Sequence, residues 1–437
     1  MKRKKAVLAA VLIIFLALGW IFSLRNVTGM ESREKQQELT EKADEYAEKE
    51  LWVRAIPLYE EALQYKTGNN VGIESRLLNA YYQYGDMDSY NDLVEKRAGE
   101  NTATKQEYIN TSDSYIVGYN LEKGMELIKR GIDQTGDQDL IDYYEANRYA
   151  YSVNVTKYEE IIPTEENLFM PACGESGWCY VDENGREILE KSYDAVSRFN
   201  ADGFAVVKKD GKYYTILQNG DKYGVDETGI TDVYEMSGNH ILAKVNGKYS
   251  YYDYDFKCVA PAHQYEEITA NSCGVAAVKK GSMWGIITDS GETVVDFTLD
   301  DVAVNSLGAA FADGKAMVRM GENWYLINTD GERLCESEFS EAKAPEASGY
   351  IAVGNGEKWG FIDETGKVVI DYQYEDAFSF SEGLGTVRIG DKWNYISEKN
   401  VRVIDQEFAE AKPFHNKIAQ AKITGKAALI ELEYVEK

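Results

Sequence analysis

Three histidines, His240, His263 and His415, are the side chains in this chain most suited to acid–base or metal chemistry. A neutral imidazole acts as a general base or a metal ligand only when partner groups lie at a suitable spacing. No HExxH, GxSxG, P-loop or GxGxxG sequence supplies such partners. The histidines also fall at unrelated positions of the repeats described below. The sequence therefore predicts surface or strand-end histidines, no catalytic, cofactor-binding or metal-binding residues, and a protein that is not an enzyme.

Acidic turn sequences of the types DENG, DETG and TDG recur in the C-terminal two-thirds of the chain. Carboxylates on a short loop are the ligands that Ca²⁺ prefers. Asp followed by Gly after a strand is nevertheless more typical of a type I turn that ends in a left-handed glycine. We therefore expect these acids to belong to turns.

The five cysteines include no CxxC pair. Cys173 and Cys179 flank a predicted hairpin turn, and the sequence leaves open whether they form a disulfide or pack as small buried side chains.

The formal net charge is −27, and residues 1–30 hold five basic and no acidic groups, so the remainder carries −32. A surface this acidic repels a phosphate backbone, which argues against nucleic-acid binding. The acids are scattered and form no acidic tail.

Residues 6–24 form an uncharged apolar run after the basic sequence MKRKK. As a helix this run spans about 29 Å, close to the roughly 30 Å hydrocarbon core of a bilayer. A cleaved signal peptide is the rival interpretation, but the run exceeds a usual signal core and no Ala-x-Ala follows it. The positive flank predicts a cytoplasmic N-terminus and places the later domains outside the cytoplasm. We therefore predict a single-pass anchor in a cell membrane.

Residues 39–153 show helical periodicity in successive pairs of segments. Aligning the second helix of each pair places Ala55, Tyr90 and Gly124 at one position, and subtracting their numbers gives spacings of 35 and 34. The segment WVRAIPLYEEAL resembles the second helix of a tetratricopeptide repeat, whose period is about 34 residues. Residues 139–153 are predicted to form a capping helix. The resemblance implies either a groove for a peptide or a rigid spacer.

A glycine-containing turn followed by an aromatic residue recurs along residues 155–437. Asp-Gly at 210–211 and Asn-Gly at 246–247 are strong signals for two-residue hairpins. Seven aromatic residues and one alanine occupy the repeated position: Trp178, Tyr213, Tyr249, Trp284, Trp324, Trp359, Trp393 and Ala427. Subtracting successive positions gives spacings of 35, 36, 35, 40, 35, 34 and 34. Aromatic side chains can stack on sugars, but one per repeat beside the turn favours packing between neighbouring repeats.

A second landmark confirms the period: an apolar residue, one or two acids, and then a small or branched residue. The copies begin at Tyr158, Tyr193, Ile230, Tyr265, Leu299, Phe339, Tyr374 and Phe408. Their successive differences are 35, 37, 35, 34, 40, 35 and 34, which follow the aromatic series. The sequence KYGVDETG at 222–229 lies out of phase with both series, and we interpret it as the strand after Tyr213.

The units resemble the WG-containing repeat family, most clearly in KWGFIDETGKVVI and the residues after it, 358–396. The resemblance covers residues 155–437 and implies a bacterial repeat protein without a catalytic motif. About four short strands per unit indicate a propeller-like ring of about eight blades. The first landmark precedes the first hairpin, so we expect an N-terminal strand to complete the last blade. An open β-solenoid is the alternative.

The predicted fold class is a multidomain α + β protein with a transmembrane helix, a tetratricopeptide-like solenoid and an all-β repeat domain. The expected segments are a cytoplasmic tail at 1–5, an anchor at 6–24, a juxtamembrane helix or linker at 25–38, the helical domain at 39–153 and the β-repeat domain at 155–437. The functional hypothesis is a membrane-anchored, extracytoplasmic scaffold for protein–protein interaction or assembly at a bacterial cell envelope. The alternative is a lectin-like module that binds cell-wall glycan.

Overall fold

The computed structural model describes residues 30–434, except 66, 68–69, 163, 165–168, 238–239 and 348. The chain divides into two compact units, Met1–Arg148 and Tyr149–Lys437, which we describe separately. The predicted tail, the anchor at residues 6–24 and the start of the 25–38 linker lie outside the described residues. Among the helices that are described, none has both the length and the apolar character required to cross a bilayer.

The described part of the first unit contains seven helices. They are α1 (30–47), α2 (Trp52–Leu63), α3 (Asn70–Tyr84), α4 (Met87–Gly99), α5 (Lys105–Val117), α6 (Leu121–Thr135) and α7 (Gln138–Asn147). Small residues allow close helix crossing, as the sequence predicted. Ala55 of α2 is fully buried. A Cβ atom on Gly124 of α6 would lie 2.9 Å from the Ser112 hydroxyl of α5.

Side-chain hydrogen bonds define the start of several helices. Thr104 and Glu107 form a reciprocal capping box at the beginning of α5. Asp86 and Asn120 accept hydrogen bonds from the first turns of α4 and α6. These caps satisfy backbone N–H groups that have no partner within a helix, so short polar turns can separate the paired helices.

The predicted capping helix ends earlier than the sequence indicated. α7 stops at Asn147, and Tyr151–Val155 forms a β-strand instead of continuing the helix to residue 153. The physical reason lies far away in sequence. This strand pairs along its whole length with Lys426–Leu432, and that ladder outweighs the local helical pattern.

The second unit contains eight antiparallel sheets within its described residues. Each sheet is one blade, and we call its strands a to d in chain order. Blade 1 contains β2 (Glu160–Ile161), β3 (Met170–Gly174), β4 (Gly177–Val181) and β5 (Glu187–Tyr193); blade 2 contains β6 (Ala195–Val196), β7 (Phe204–Lys209), β8 (Lys212–Leu217) and β9 (Lys222–Val225). Blade 3 contains β10 (Asp232–Ser237), β11 (His240–Val245), β12 (Lys248–Tyr252) and β13 (Cys258–Tyr265); blade 4 contains β14 (Glu267–Ile268), β15 (Val275–Lys280), β16 (Met283–Thr288) and β17 (Thr293–Leu299).

The remaining blades follow the same order. Blade 5 contains β18 (Asp301–Val302), β19 (Lys315–Met320) and β20 (Asn323–Asn328); blade 6 contains β21 (Glu341–Ala342), β22 (Ile351–Gly354), β23 (Trp359–Ile362) and β24 (Val368–Tyr374). Blade 7 contains β25 (Asp376–Ser381), β26 (Leu384–Ile389) and β27 (Lys392–Ser397). Blade 8 contains β28 (Glu410–Ala411), β29 (Ile418–Ile423), β30 (Lys426–Leu432) and, as its outer strand, β1 (Tyr151–Val155).

The outer strand of blade 8 closes the ring. Tyr151 faces Leu432 and Val155 faces Ala428 in a continuous antiparallel register. The N-terminal strand therefore completes the C-terminal blade, as predicted, and the unit is an eight-bladed β-propeller. The open β-solenoid is wrong for this chain, because closure through β1 covers the edge that a solenoid would leave unpaired.

The Trp-Gly pair has a steric explanation in blades 4 and 6. In blade 6, Trp359 faces Tyr374 and Phe361 faces Ile370, so strand d bulges opposite Gly360. A Cβ atom on Gly360 would lie 2.6 Å from the Ile370 carbonyl oxygen, closer than side chains tolerate. Gly285 of blade 4 faces the Val295 carbonyl in the same way, at 2.8 Å. Glycine therefore gives the bulged backbone room to approach strand c in these two blades, whereas blade 1 keeps the same register opposite Cys179.

Candidate functional site

The two faces of the ring carry different loops. Because equivalent strands run in the same direction in every blade, the a–b loops and c–d turns lie on one face. The b–c hairpins and the d–a corners lie on the other, which we call the hairpin face. The predicted aromatic positions and acidic landmarks lie on the hairpin face, whereas the acidic turns lie on the opposite one.

The repeated aromatic residues pack inside the ring. Trp284 is 6% exposed and belongs to a cluster with Val302 and Val318 of the next blade. The Lys343 ammonium lies 4.7 Å from the centre of the Trp359 ring, which covers that side chain with a cation. Packing between neighbouring blades is therefore confirmed for these positions, and it buries the rings of Tyr213, Tyr249 and Trp284, while Trp178, Trp324, Trp359 and Trp393 are half-buried.

The acidic landmarks hold neighbouring hairpins together. Glu375 accepts hydrogen bonds from the Lys358 ammonium at 2.7 Å in blade 6 and from the Gly390 N–H at 3.0 Å in blade 7. Glu266 accepts hydrogen bonds from Lys248 of blade 3 and Gly281 of blade 4 in the same way. The lysine hydrogen bond, helped by the backbone N–H, lowers the pKa of both carboxyl groups. These acids act as clasps between blades.

The acidic turns satisfy their own backbone. Asp363 accepts hydrogen bonds from the N–H groups of Thr365 and Lys367 and from the Thr365 hydroxyl. The hydroxyl hydrogen bond is the main reason that the pKa of Asp363 is lowered. Within the described residues no three His, Cys, Asp or Glu side chains converge as metal ligands would. The turn carboxylates therefore have a structural role in this geometry.

The cysteines do not pair. Cys173 faces Trp178, whereas Cys179 faces Ala172, so the two side chains point to opposite sides of blade 1. Both thiols are free. Burial is the main cause that raises the pKa of each thiol.

One a–b loop extends across the ring on the face opposite the hairpins. Residues 303–314 connect β18 to β19 in blade 5, and we call them the plug loop. The Arg198 guanidinium of blade 2 donates hydrogen bonds to the carbonyl oxygens of Ser306 and Leu307, each at 3.3 Å. Asn305 donates to the carbonyl oxygen of Pro345 in blade 6. The plug loop thus joins blades that are distant along the ring.

His415 of blade 8 lies in the polar cluster at the tip of the plug loop. Its Nε2 atom is 2.7 Å from the Ser306 hydroxyl oxygen and 3.5 Å from a Glu346 carboxylate oxygen. The Ser306 hydroxyl is 2.6 Å from the same carboxylate, and only 2% of the Glu346 side chain is exposed. The sequence predicted a surface or strand-end histidine, and the structure instead places His415 beside a buried acid.

This cluster lacks the geometry of a nucleophile and its base. In a Ser-His-acid triad the serine and the acid contact different nitrogens of the imidazole. Here Ser306 and Glu346 both lie next to Nε2, and the serine hydroxyl has a single proton to donate. If that proton goes to the carboxylate, Nε2 must donate to the serine oxygen and cannot accept its proton. The arrangement fastens loops and does not activate Ser306.

A second acid, Glu382, is half-buried near His415. Glu382 of blade 7 accepts two contacts from the Lys417 backbone N–H, at 2.9 and 3.2 Å. Burial is the dominant influence and raises the pKa of Glu382, while the Lys417 N–H and nearby His415 oppose the rise. His240 lies elsewhere, at the start of β11, where its ring contacts Tyr251 edge-on. The His263 side chain lies outside the described part of the chain.

The plug loop is visible in the sequence as an irregular spacing of the repeats. Each landmark series has one interval that is longer than the rest, from Trp284 to Trp324 in the first and from Leu299 to Phe339 in the second. The overlap of these intervals lies between Leu299 and Trp324, and it contains the plug loop. The identities of the partners in blades 2, 6 and 8 have no such signal, because only ring closure brings them together.

The helical unit exposes large apolar side chains at the turn within each helix pair. The exposed fractions are 62% for Val53, 54% for Tyr84 and 99% for Tyr119. Leu51, Tyr82 and Val117 at the same three turns are also exposed. Because the pairs stack in sequence, the turns within the pairs share one edge of the unit, which we call the turn edge.

The family model for the WG containing repeat matches four segments of the chain, residues 178–213, 249–284, 284–324 and 359–393. All four lie in the propeller, and each runs from one repeated aromatic position to the next. No curated protein matches the sequence significantly.

Solved structures similar to the propeller have low sequence identity. The crystal structure of the eukaryotic initiation factor is 11% identical, covers 65% of this chain and 85% of its own, and gives a TM-score of 0.40. The AfRom2 CNH domain is 9% identical in sequence. The match covers 66% of this chain and 97% of that domain, with a TM-score of 0.36. The N-terminal domain of Nup159 is 10% identical in sequence. The match covers 64% of this chain and 90% of that domain, with a TM-score of 0.34. Similarities at this level carry no functional argument.

Proposed function

Since the C-terminal region of this chain carries WG-containing repeats and follows a set of paired helices, we propose that the protein is a non-catalytic scaffold that binds a polypeptide partner. The repeated polar residues support this proposal because they serve the ring itself. Glu266 and Glu375 clasp hairpins, and Asp363 closes its own turn. The surfaces that vary between repeats are then left for recognition.

The turn edge is the observation that carries the proposal. Large apolar side chains are exposed at each of three successive turns along one edge, and an apolar surface formed by such a row would be suited to a partner. Tyr is also well suited to interfaces, since its ring is apolar and its hydroxyl is polar. The partner is a polypeptide that covers Val53, Tyr84 and Tyr119 with apolar side chains of its own.

The proposal places the scaffold at a bacterial cell envelope. The apolar run at residues 6–24 acts as a single-pass anchor, with the basic residues before it on the cytoplasmic side. The helices and the propeller then lie outside the cytoplasm. Cell-wall glycan remains the alternative ligand predicted from the sequence, but the burial of Trp284 does not favour it.

Site-specific photo-crosslinking in living cells tests the proposal. A photoreactive amino acid is introduced at position 84 or 119 of the full chain, and Glu100, exposed at a turn between pairs, serves as the matched control. We expect one polypeptide to crosslink at both 84 and 119 and not at 100. Replacing Tyr84 and Tyr119 by Ser should prevent its recovery with the chain. Equal crosslinking at all three positions, or none at 84 and 119, would count against a partner on the turn edge.

A further inference from the structure

Blade 4 contains an aromatic site that its own outer strand fills. Phe297, in the bulge of β17, stacks on Tyr265 of blade 3 with ring centres 6.1 Å apart. The Lys280 ammonium lies 5.8 Å from the centre of the Phe297 ring. A Cβ atom on Gly285 would lie 3.3 Å from the same ring, so the glycine leaves room for it. Phe297 thus fills the space between two blades beneath a lysine.

Blade 6 fills the equivalent space in the same way. Tyr372 precedes Tyr374 by two residues, as Phe297 precedes Leu299, and it packs with Phe339 of blade 5 and Val353 of blade 6. In both blades the aromatic side chain comes from the bulge of strand d opposite the glycine of the Trp-Gly pair. The bulge therefore provides the residue that seals the gap between blades.

The bulge in the outer strand of blade 2 is one residue shorter than those of blades 4 and 6. In β9, Val225 already faces Tyr214, and the next residue, Asp226, donates its N–H to the Tyr213 carbonyl. This is the out-of-phase sequence KYGVDETG, whose strand is too short to contain a counterpart of Phe297. Tyr214 stands where blades 4 and 6 have glycine. The shorter bulge therefore lacks the side chain that would fill the space between blades 1 and 2.

A cavity of about 250 Å³ lies at this place. Its lining includes Tyr193, Val207, Ile216 and Lys209, which correspond by register to Tyr265, Val278, Ile287 and Lys280 around Phe297. An apolar cavity of about 150 Å³ is already large enough to bind benzene. The cavity is therefore the empty counterpart of the site that Phe297 occupies in blade 4.

The lining also includes polar side chains that lack a hydrogen-bond partner or an ion-pair partner among the described residues. Tyr193 is 6% exposed, and its hydroxyl has no hydrogen-bond partner among the described residues, although buried polar groups are normally paired. Lys209 and Lys222 both line the cavity; the Lys209 ammonium donates to the Ser192 carbonyl oxygen at 2.5 Å, and neither lysine forms an ion pair with a carboxylate among the described side chains. The Lys222 ammonium lies 3.5 Å from the centre of the Tyr214 ring. Two cations beside an apolar space favour an aromatic group with a nearby negative charge.

We propose that the cavity between blades 1 and 2 binds an aromatic side chain of a partner polypeptide, with a carboxylate of that partner placed next to Lys209 and Lys222. The aromatic ring takes the place that Phe297 fills in blade 4, stacked on Tyr193. This inference rests on the proposed function, because its occupant is a polypeptide.

Peptide binding to the purified full chain in lipid nanodiscs tests the inference. The probes are a pentapeptide with one Phe between four Glu residues, the same peptide with Ala in place of Phe, and phenylacetate. We expect the Phe peptide to bind about tenfold or more tightly than the Ala peptide, since burial of one aromatic side chain is worth at least this factor. Equal affinity of these two peptides would overturn the proposal. Phenylacetate that binds as tightly as the Phe peptide would overturn a polypeptide partner in favour of a free aromatic acid.

Charge reversal at the edge of the cavity between blades 1 and 2 tests whether the Phe peptide binds there. The double variant K209E/K222E changes side chains at the edge of the cavity and should weaken binding of the Phe peptide about tenfold or more, through lost attraction and added repulsion. K280E is the matched control, because the same position in blade 4 lies over a site that is already filled. Unchanged affinity in the double variant, or an equal loss in K280E, would show that the peptide binds elsewhere.

Removing the Phe297 side chain from the filled site of blade 4 should create a second peptide-binding site. Phe297→Ala should create a second cavity beneath Lys280, so that the folded variant binds two equivalents of the Phe peptide where the native chain binds one. A single equivalent would overturn the equivalence between the two sites. These readouts use a purified chain and a synthetic peptide. They are therefore independent of crosslinking at the turn edge, and either result can fail while the other holds.

Discussion

The repeated residues of the propeller have roles that are steric and electrostatic. The Trp-Gly glycine exists because the bulged outer strand brings a carbonyl oxygen within 2.6 Å of where a Cβ atom would lie at Gly360. Blades 5 and 7 illustrate the consequence. They have Tyr325 and Asn394 at the same position, and their outer strands are reduced to isolated bridges, as between Trp324 and Phe339. Blades 1 and 3 nevertheless keep a bulged outer strand with Cys179 and Ser250 at this position, so glycine eases the close approach without alone determining the outer strand.

We expect Gly360→Ala to destabilise the propeller by about 1–3 kcal/mol, since the added methyl group meets a backbone carbonyl that cannot rotate away. The free energy of unfolding can be measured by urea denaturation followed by tryptophan fluorescence. Gly99→Ala is a suitable control, because nothing lies within 4 Å of the added Cβ atom there. An unchanged unfolding free energy in Gly360→Ala would contradict the steric explanation.

The Glu375 clasp predicts a pH dependence of stability. Its folded pKa lies below the ordinary value of 4.5, mainly because of the Lys358 hydrogen bond. A carboxyl group with a lowered folded pKa stabilises the fold above its unfolded pKa, and this contribution is lost as the pH falls through the folded pKa. Glu375→Gln should therefore be less stable than the native chain at pH 7, and the difference should shrink towards pH 3. A difference in unfolding free energy that is constant with pH would rule out the clasp.

At the scale of elements, the helical unit is organised around a buried arginine. Arg97 of α4 is 1% exposed, and its guanidinium lies 3.2 Å from Glu107 of α5 and 3.8 Å from Glu74 of α3. It also donates to the carbonyl oxygen of Thr102 at 2.8 Å. One side chain therefore joins three successive helices, across the step between the second and third helix pairs.

Arg97→Ala should destabilise the helical unit by about 3–5 kcal/mol, since it leaves the buried carboxylates of Glu74 and Glu107 without their guanidinium partner. Lys105→Ala removes an exposed ion pair to Asp139, and it should change the stability by less than about 1 kcal/mol. Thermal unfolding followed by far-ultraviolet circular dichroism distinguishes the two variants. Equal stability of both would refute the role assigned to Arg97.

At the scale of the whole molecule, the described propeller is held as a ring by two long-range devices. The strand β1 joins the start of the unit to its last blade through the pairing of Tyr151 with Leu432. The plug loop connects blades 2, 5, 6 and 8 through Arg198, Ser306, Glu346 and His415. Both devices bring together residues that are far apart along the chain.

Ser152→Pro should loosen the closure, because Ser152 lies opposite Glu431 at a position where the register directs its N–H towards β30, and proline removes that N–H. We expect amide hydrogen exchange in β30 to accelerate by about tenfold or more, while exchange in blade 4 changes far less. Ser152→Thr keeps the N–H and the hydroxyl, and it should leave the exchange in β30 close to that of the native chain. Equal protection of β30 in all three proteins would show that β1 does not secure the ring.

The repeat period, the helix pairs and closure of the ring by an N-terminal strand were readable from the sequence, but most of the residues that form this strand were assigned to a helix. These features were readable because the apolar residues that pack against neighbouring units recur at fixed positions within each unit, and this pattern is contained in short stretches of sequence. The end of α7 at Asn147 was not readable, because the strand that follows is decided by a partner in the last blade. The same holds for the two sites of greatest interest. One lengthened interval marks the plug loop, and an out-of-phase strand marks the cavity of blade 2, but their partners come from other blades. Ring closure brings Ser306 to His415, and the packing of blade 2 against blade 1 brings Tyr193 to Lys222.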